Sequence, residues 1–117
     1  MAEEKRSFYR GRRVLITGHT GFKGSWLSRI LILAGAQVTG YSLDPPTDPA
    51  LFSLLGLGRE MTDVRGDVRD LERLRRVFAE TEPEVVFHLA AQPIVRESYR
   101  DPVGTYAVNV MGTVHVL

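Results

Sequence analysis

The sequence of 117 residues contains no cysteine, which excludes disulfides, thiolate metal ligands and a cysteine nucleophile and fits a reducing compartment. Lysine is scarce: Lys5 and Lys23 are the two, and neither follows a tyrosine by four positions. Long apolar runs are missing as well. The longest, Ile30 to Ala34, has five residues, far short of the roughly 18 that suggest a membrane span. The opening Met-Ala-Glu-Glu-Lys-Arg lacks the apolar core of a secretory signal. Neither sign of charge dominates, with a formal net charge of +1, so there is no general electrostatic case for nucleic acid. The basic cluster Lys5, Arg6, Arg10, Arg12 and Arg13 reads as part of a solvated extension over residues 1–10 that leads into the first strand. His19, His88 and His115 are not spaced as metal ligands, and no metal is expected. A cytoplasmic protein without membrane or nucleic-acid partners is the resulting expectation.

What is present fits a single soluble domain. Apolar residues make up 44% and charged residues 25%, close to ordinary globular values. Arg13-Val-Leu-Ile-Thr17 is a β-branched apolar run of the kind buried on both faces of a parallel sheet. From Gly24, the positions Leu27, Ile30, Leu31 and Ala34 recur at helical spacing, with Gly35 as a stop. Gln37 to Leu43 predicts a second strand, closed by the proline-rich Asp44-Pro-Pro-Thr-Asp-Pro49. A helical turn near Leu51 to Leu55 and a weak third strand at Met61 to Val64 follow. Asp70 predicts an N-cap for a helix carrying Leu71, Leu74, Val77 and Phe78 on one side and ending before Pro83. Glu84 to Ala90 predicts a fourth, buried strand. Asp101-Pro102 opens a last helix with Val103, Tyr106, Val110 and Val114 on its apolar side. Strands alternating with helices imply an α/β fold with a parallel, doubly wound sheet over residues 11–117. Because the apolar helical pattern runs to Leu117, a longer protein with a more complete sheet is expected.

Gly18-His-Thr-Gly-Phe-Lys-Gly24 follows a strand and opens a helix, the setting in which spaced glycines signal a dinucleotide. Glycine permits the turn and lets backbone amides approach a pyrophosphate, while the first amides of the helix and its dipole favour an anion. A Walker loop would end Gly-Lys-Ser/Thr, whereas here the order is Lys23-Gly24-Ser25, which disfavours ATP hydrolysis. Asp44 stands at the spacing of an acid that binds an adenosine ribose, or else it is a turn aspartate before Pro45. Ser42, two positions earlier, leaves that assignment open. No arginine ends the second strand to receive a 2′-phosphate, so NAD is favoured over NADP.

The Gly-x-x-Gly-x-x-Gly spacing resembles the extended branch of the short-chain dehydrogenase superfamily, as do Asp67-Val68, Leu89-Ala-Ala91 and Asn109-x-x-Gly112 in the same order. Within that branch, His19-Thr-Gly-Phe-Lys-Gly-Ser-Trp-Leu27, Asp44-Pro-Pro-Thr47 and His88-Leu-Ala-Ala-Gln-Pro-Ile-Val-Arg-Glu-Ser-Tyr99 resemble CDP-glucose 4,6-dehydratases. Lys23 and Gln92-Pro93 are the discriminating details. The resemblance runs from Gly11 onward and implies a Rossmann-type domain, NAD as cofactor, a nucleotide-sugar substrate (CDP-glucose) and a homo-oligomer when intact. It implies cofactor contacts from Gly18, Thr20, Gly21, Phe22, Lys23, Gly24, Asp44, Asp67, Val68, Leu89, Ala90 and Ala91. Gln92 and Arg96 become candidate substrate contacts, with a solvated loop arginine the equal alternative for Arg96. Asp67 is either an adenine contact or a helix-entry acid interacting with nearby amides, and Asn109 either orders the catalytic neighbourhood or is a solvated helix residue. Phe22 and Trp26 either flank the cofactor or pack the first helix, packing being favoured for Trp26. The superfamily's tyrosine-lysine dyad is absent, so no catalytic residue is assigned and the chain by itself is expected to be inactive. Two rival readings stay open: an epimerase or reductase of the same branch, and a non-catalytic NAD-sensing protein.

Overall fold

A computed structural model describes residues 8–45, 50–90, 101, 103, 109 and 112–116. Its strands are β1 (Arg13–Thr17), β2 (Gln37–Ser42), β3 (Thr62–Arg65) and β4 (Val85–His88). They form a four-stranded sheet in the order β3-β2-β1-β4, every pairing parallel. The helices are α1 (Phe22–Leu33), α2 (Leu51–Leu54), α3 (Leu71–Thr81) and α4 (Gly112–Val116), with a 3₁₀ turn at Leu57–Arg59. The alternation expected from the sequence is therefore realised, and the four-strand Rossmann-type sheet with it.

Side chains alternate across a strand, and β1 distributes its residues accordingly. Val14 and Ile16 join Leu31 of α1 and Val38 on one face, while Leu15 joins Tyr41, Val68, Leu74 and Val77 on the other. Helices thus cover both faces, as a doubly wound sheet requires. Asp70 caps α3 as expected, its carboxylate accepting from the Arg73 amide at 3.2 Å. At the end of α1, Gly35 takes φ 85°. The Ala36 amide then donates to the Leu31 carbonyl and the Gly35 amide to that of Ile32, both at 3.0 Å, a Schellman stop.

Three expectations about burial need correction. Helix α1 begins at Phe22 and buries Gly24, Ser25, Ser28 and Leu31, whereas Ile30 is 59% exposed. The small residues win because they let the helix approach the glycine loop closely, and their hydroxyls are satisfied locally: Ser25 donates to the His19 carbonyl and Ser28 to that of Gly24. Phe22, Trp26, Ile30 and Leu33 are left as an exposed apolar stripe. Among the described residues, β4 stands at an edge of the sheet and Val86 is exposed, so the strand is not buried on both faces. Val103 and Val114, assigned to an apolar helix side, are also exposed; Tyr106 and Val110 lie outside the described residues.

Candidate functional site: the glycine loop and the carboxyl ends of the strands

The strand order reverses direction at β1, with β2 on one side and β4 on the other. An open α/β sheet takes its ligand at such a switch point, outside the carboxyl ends of the strands. The glycine loop lies there. Its three glycines have different physical causes. Gly18 takes φ +81°, and a Cβ on it would stand 2.8 Å from the Ala90 amide nitrogen. A Cβ on Gly24 would run into the Gly18 carbonyl and come within 2.8 Å of the His19 Cα. Those two positions are fixed by the protein's own packing. Gly21 is not, because its φ is −75° and its Cβ would meet just the Gly18 oxygen, at an ordinary 3.5 Å. Gly21 is also the N-cap of α1, which has no side-chain cap and no acid in its first turn. The opening amides of α1 therefore face outward beside a glycine whose missing side chain leaves space, the donor set that suits a diphosphate.

The loop is anchored from below by His19. Its ring is fully buried, lies edge-on to Phe52 at 5.3 Å, and fills the space above Gly40 in β2, where any Cβ would clash with it. The ring Nε2 pairs with Asp63 Oδ1 at 2.6 Å, while the enclosed Nδ1 has no partner among the described residues. Burial pushes the imidazole below its ordinary pKa despite the opposing pull of Asp63. The neutral ring therefore donates from Nε2–H. Burial alone would raise the Asp63 carboxyl, but hydrogen bonds from Arg65 and His19 outweigh it and hold the acid below its usual range.

Arg65 ends β3 opposite Ser42 of β2. Its Nε and Nη2 donate to the two oxygens of Asp63 at 2.9 and 3.0 Å, and its Nη1 donates to Asp44 Oδ1 at 2.7 Å. Asp44 itself is largely exposed, two residues past the end of β2. The Thr20 hydroxyl donates to the Leu43 carbonyl at 2.9 Å and accepts from the Ser42 hydroxyl at the same distance, which ties the loop to the end of β2. No arginine stands in β2, yet one reaches its end from the neighbouring strand. Sequence reading missed that arginine because adjacency in the sheet is not adjacency in the chain. The available signals were Gly40 inside a strand, a mark of close approach, and Asp63-x-Arg65, two residues on one face of β3.

Beyond β3, Asp67 accepts from the Arg69 amide and guanidinium, whose hydrogen bonds hold its carboxyl below the usual range. Asp67 thus carries the helix-entry contacts that were its alternative, with the adenine role left open beside them. Val68 is buried, and its carbonyl lies 2.8 Å from His115 Nδ1. Beyond β4, the Thr17 hydroxyl accepts from the amides of Leu89 and Ala90 at 3.1 and 3.2 Å, which leaves its hydrogen for His88 Nδ1 at 2.6 Å. Leu89 is 40% exposed above this clamp. Lys23 and Phe22 are exposed at the start of α1. Trp26, for which packing was expected, is 47% exposed and meets Phe22 edge to face at 6.5 Å. Asn109 is half-buried. Ala91, Gln92 and Arg96 lie outside the described residues. A shallow hollow of about 630 Å³ lined by Arg13, Gln37, Arg59 and Glu80 sits at the amino ends of the strands and shares no residue with the loop.

The sequence profile of the family described as GDP-mannose 4,6 dehydratase matches residues 15–117. The CDP-glucose 4,6-dehydratase of Salmonella typhimurium is 57% identical over 112 residues, covering 96% of this chain and 31% of that protein. Among solved structures, epimerase Mth375 from Methanothermobacter thermautotrophicus superposes with a TM-score of 0.81 at 32% identity, over 99% of this chain and 33% of that one. UDP-glucose 4-epimerase from Brucella ovis, in complex with NAD, superposes with a TM-score of 0.73 at 30% identity, over 91% and 31%. The chain spans about a third of the length of these proteins.

Proposed function

Because the chain belongs to the GDP-mannose 4,6-dehydratase family, we propose that it is the NAD-binding part of a nucleotide-sugar 4,6-dehydratase, a lyase acting on CDP-glucose. The observation that carries the cofactor assignment is Gly21, whose side of the loop is open while Gly18 and Gly24 are explained by packing. The 57% identity to a CDP-glucose 4,6-dehydratase supports the substrate, and the NAD complex of a related epimerase supports the cofactor.

In this reading, the Gly21 amide donates to the Gly18 carbonyl, and the opening amides of α1 from Phe22 onward hold the diphosphate. Thr20, Phe22 and Lys23 border it, and Asp44 accepts from the adenosine ribose. Asp67 and Val68 line the adenine, while Leu89, Ala90 and Ala91 wall the crevice on the β4 side. Thr17 keeps that wall in place by holding both amides after β4. Gln92 and Arg96 contact the nucleotide sugar, and Asn109 supports the catalytic neighbourhood. Bound NAD would supply a reversible hydride acceptor: loss of hydride from C4 would give the ketone that lets water leave across C5 and C6, and return of hydride to C6 would complete the 6-deoxy sugar. This chain's residues bind and orient; the tyrosine-lysine pair that moves the proton belongs to sequence outside it. The reading includes a cytoplasmic location and a homo-oligomeric intact protein.

The test is to incubate the intact protein with CDP-, GDP- and dTDP-hexoses and to measure 4-keto-6-deoxy product. Product from CDP-glucose alone is the expected result. Epimerised UDP-hexose without a keto product would replace this reading by the epimerase that the solved neighbours suggest.

A further inference from the structure

Among the described residues, the outward face of α1 is an uncovered apolar stripe. Phe22, Trp26, Ile30 and Leu33 recur at helical spacing and so share one face, while the residues that α1 buries, Gly24, Ser25, Ser28 and Leu31, lie on the other. The stripe side chains leave between 47% of their surface, at Trp26, and 69%, at Phe22, open to solvent. Phe22 and Trp26 already stand edge to face at 6.5 Å, so the aromatic end is ordered before anything docks. A contiguous apolar patch of this kind marks a contact site.

We propose that the stripe is a twofold interface between two copies of the protein, formed by their α1 helices packed antiparallel. It supplies the surface for the homo-oligomer of the reading above and rests on that part of the reading. A twofold interface must be self-complementary, residue i meeting j while j meets i. The stripe meets that condition about its own midpoint. Reversed on itself, it sets Phe22 against Leu33 of the second copy and Trp26 against its Ile30, so each aromatic ring faces an aliphatic side chain. The charges agree with the same arrangement. Helix α1 has no basic residue in its last turn, and antiparallel pairing brings Lys23 of the second copy to that end, where the helix dipole favours a cation. Arg29 borders the stripe near the twofold axis, where two copies of it would repel, but Glu60 neutralises it within each chain. The pairing would remove on the order of 1,000 Å² of surface from water, the least that a specific interface needs. An anionic lipid surface fits less well, because it is drawn by free cations and Arg29 is already committed to Glu60.

The experiment is analytical ultracentrifugation of the intact protein, as wild type, Trp26→Glu, Ile30→Lys and an equal mixture of the two variants. Circular dichroism confirms that each is folded. The expected result is an even subunit number in the wild type and half that number in each variant. The mixture should regain the wild-type number, because the two new charges face each other across one half of the interface while Ile30 and Trp26 remain paired across the other. A subunit number that either variant leaves unchanged would overturn the interface and leave the oligomer reading intact. Halving without recovery in the mixture would overturn the antiparallel pairing. A single-subunit wild type would overturn the oligomer reading and this inference together. In parallel co-sedimentation with phosphatidylglycerol vesicles, binding that Trp26→Glu abolishes without changing the subunit number would give the stripe to a lipid surface and overturn the proposal. Where a charged variant fails to fold, Trp26→Ser or Ile30→Ser replaces it, with an expected loss of about tenfold in the association constant; no loss would overturn the interface.

Discussion

The imidazole of His19 occupies the space in which a Cβ at position 40 would stand, so the glycine loop and the middle of β2 are shaped as one surface. Gly40→Ala therefore overpacks a fully buried ring. It is expected to cost about 1–3 kcal/mol and to weaken NAD binding, although residue 40 touches no ligand. Gly58→Ala is the control, since its Cβ would meet Phe52 at an ordinary 3.8 Å, and its urea midpoint should barely move. Denaturant melts of the two variants check this.

Gly21 and Gly24 should separate binding from folding. Gly24→Ala drives a methyl into the Gly18 carbonyl and is expected to destabilise by about 1–3 kcal/mol or more. Gly21→Ala finds room, at 3.5 Å from its nearest neighbour. It should keep its melting temperature within a few degrees while NAD affinity falls. Gly21→Asp, which adds charge and bulk, should abolish binding. Parallel melts and NAD titrations decide, and an unchanged titration for Gly21→Asp would remove the loop from the cofactor site.

Thr17 offers a third test. Its hydroxyl serves the amides of Leu89 and Ala90 and the ring of His88 in a fully buried position. Thr17→Val keeps the shape and removes the bonds of the hydroxyl, while the Leu89 amide keeps the Thr17 carbonyl. The expected loss is about 0.5–1.5 kcal/mol, the net worth of a typical hydrogen bond, accompanied by faster amide exchange at Ala90. Thermal unfolding and hydrogen exchange measure the two effects.

Acid should weaken the fold in two stages. Burial holds His19 and His88 below the ordinary histidine value of 6.5. Between their folded values and 6.5, the unfolded chain binds more protons, and stability falls as pH falls through that window. Asp63 and Asp67, held below 3.8, add a second loss as the pH drops below that value. His19→Gln can keep a donor toward Asp63 without titrating. The slope of stability against pH between 7 and 5 should shrink in that variant, to the part due to His88. Urea melts across the range provide the measurement.

The sheet and its helices were legible because β1 and β4 are short apolar, β-branched runs and the turns carry their own markers: Gly18, Gly35, Asp70 and Pro83. The outward face of α1 was misread for a physical reason. Apolar periodicity assumes that large residues point inward, whereas here Gly24, Ser25 and Ser28 do so to bring the helix against the loop. The glycine pattern marked the candidate site, but its supports were hidden. Asp63 and Arg65 act on residues more than twenty positions away, and no chain-local pattern records which side chains a sheet will bring to one edge.

The outer side of β4 has a consequence for handling the protein. Among the described residues, Val85–His88 pairs with β1 alone, and Val86 presents its side chain to solvent. Val86→Thr is therefore expected to lower the turbidity of concentrated preparations while moving the melting temperature by no more than a few degrees.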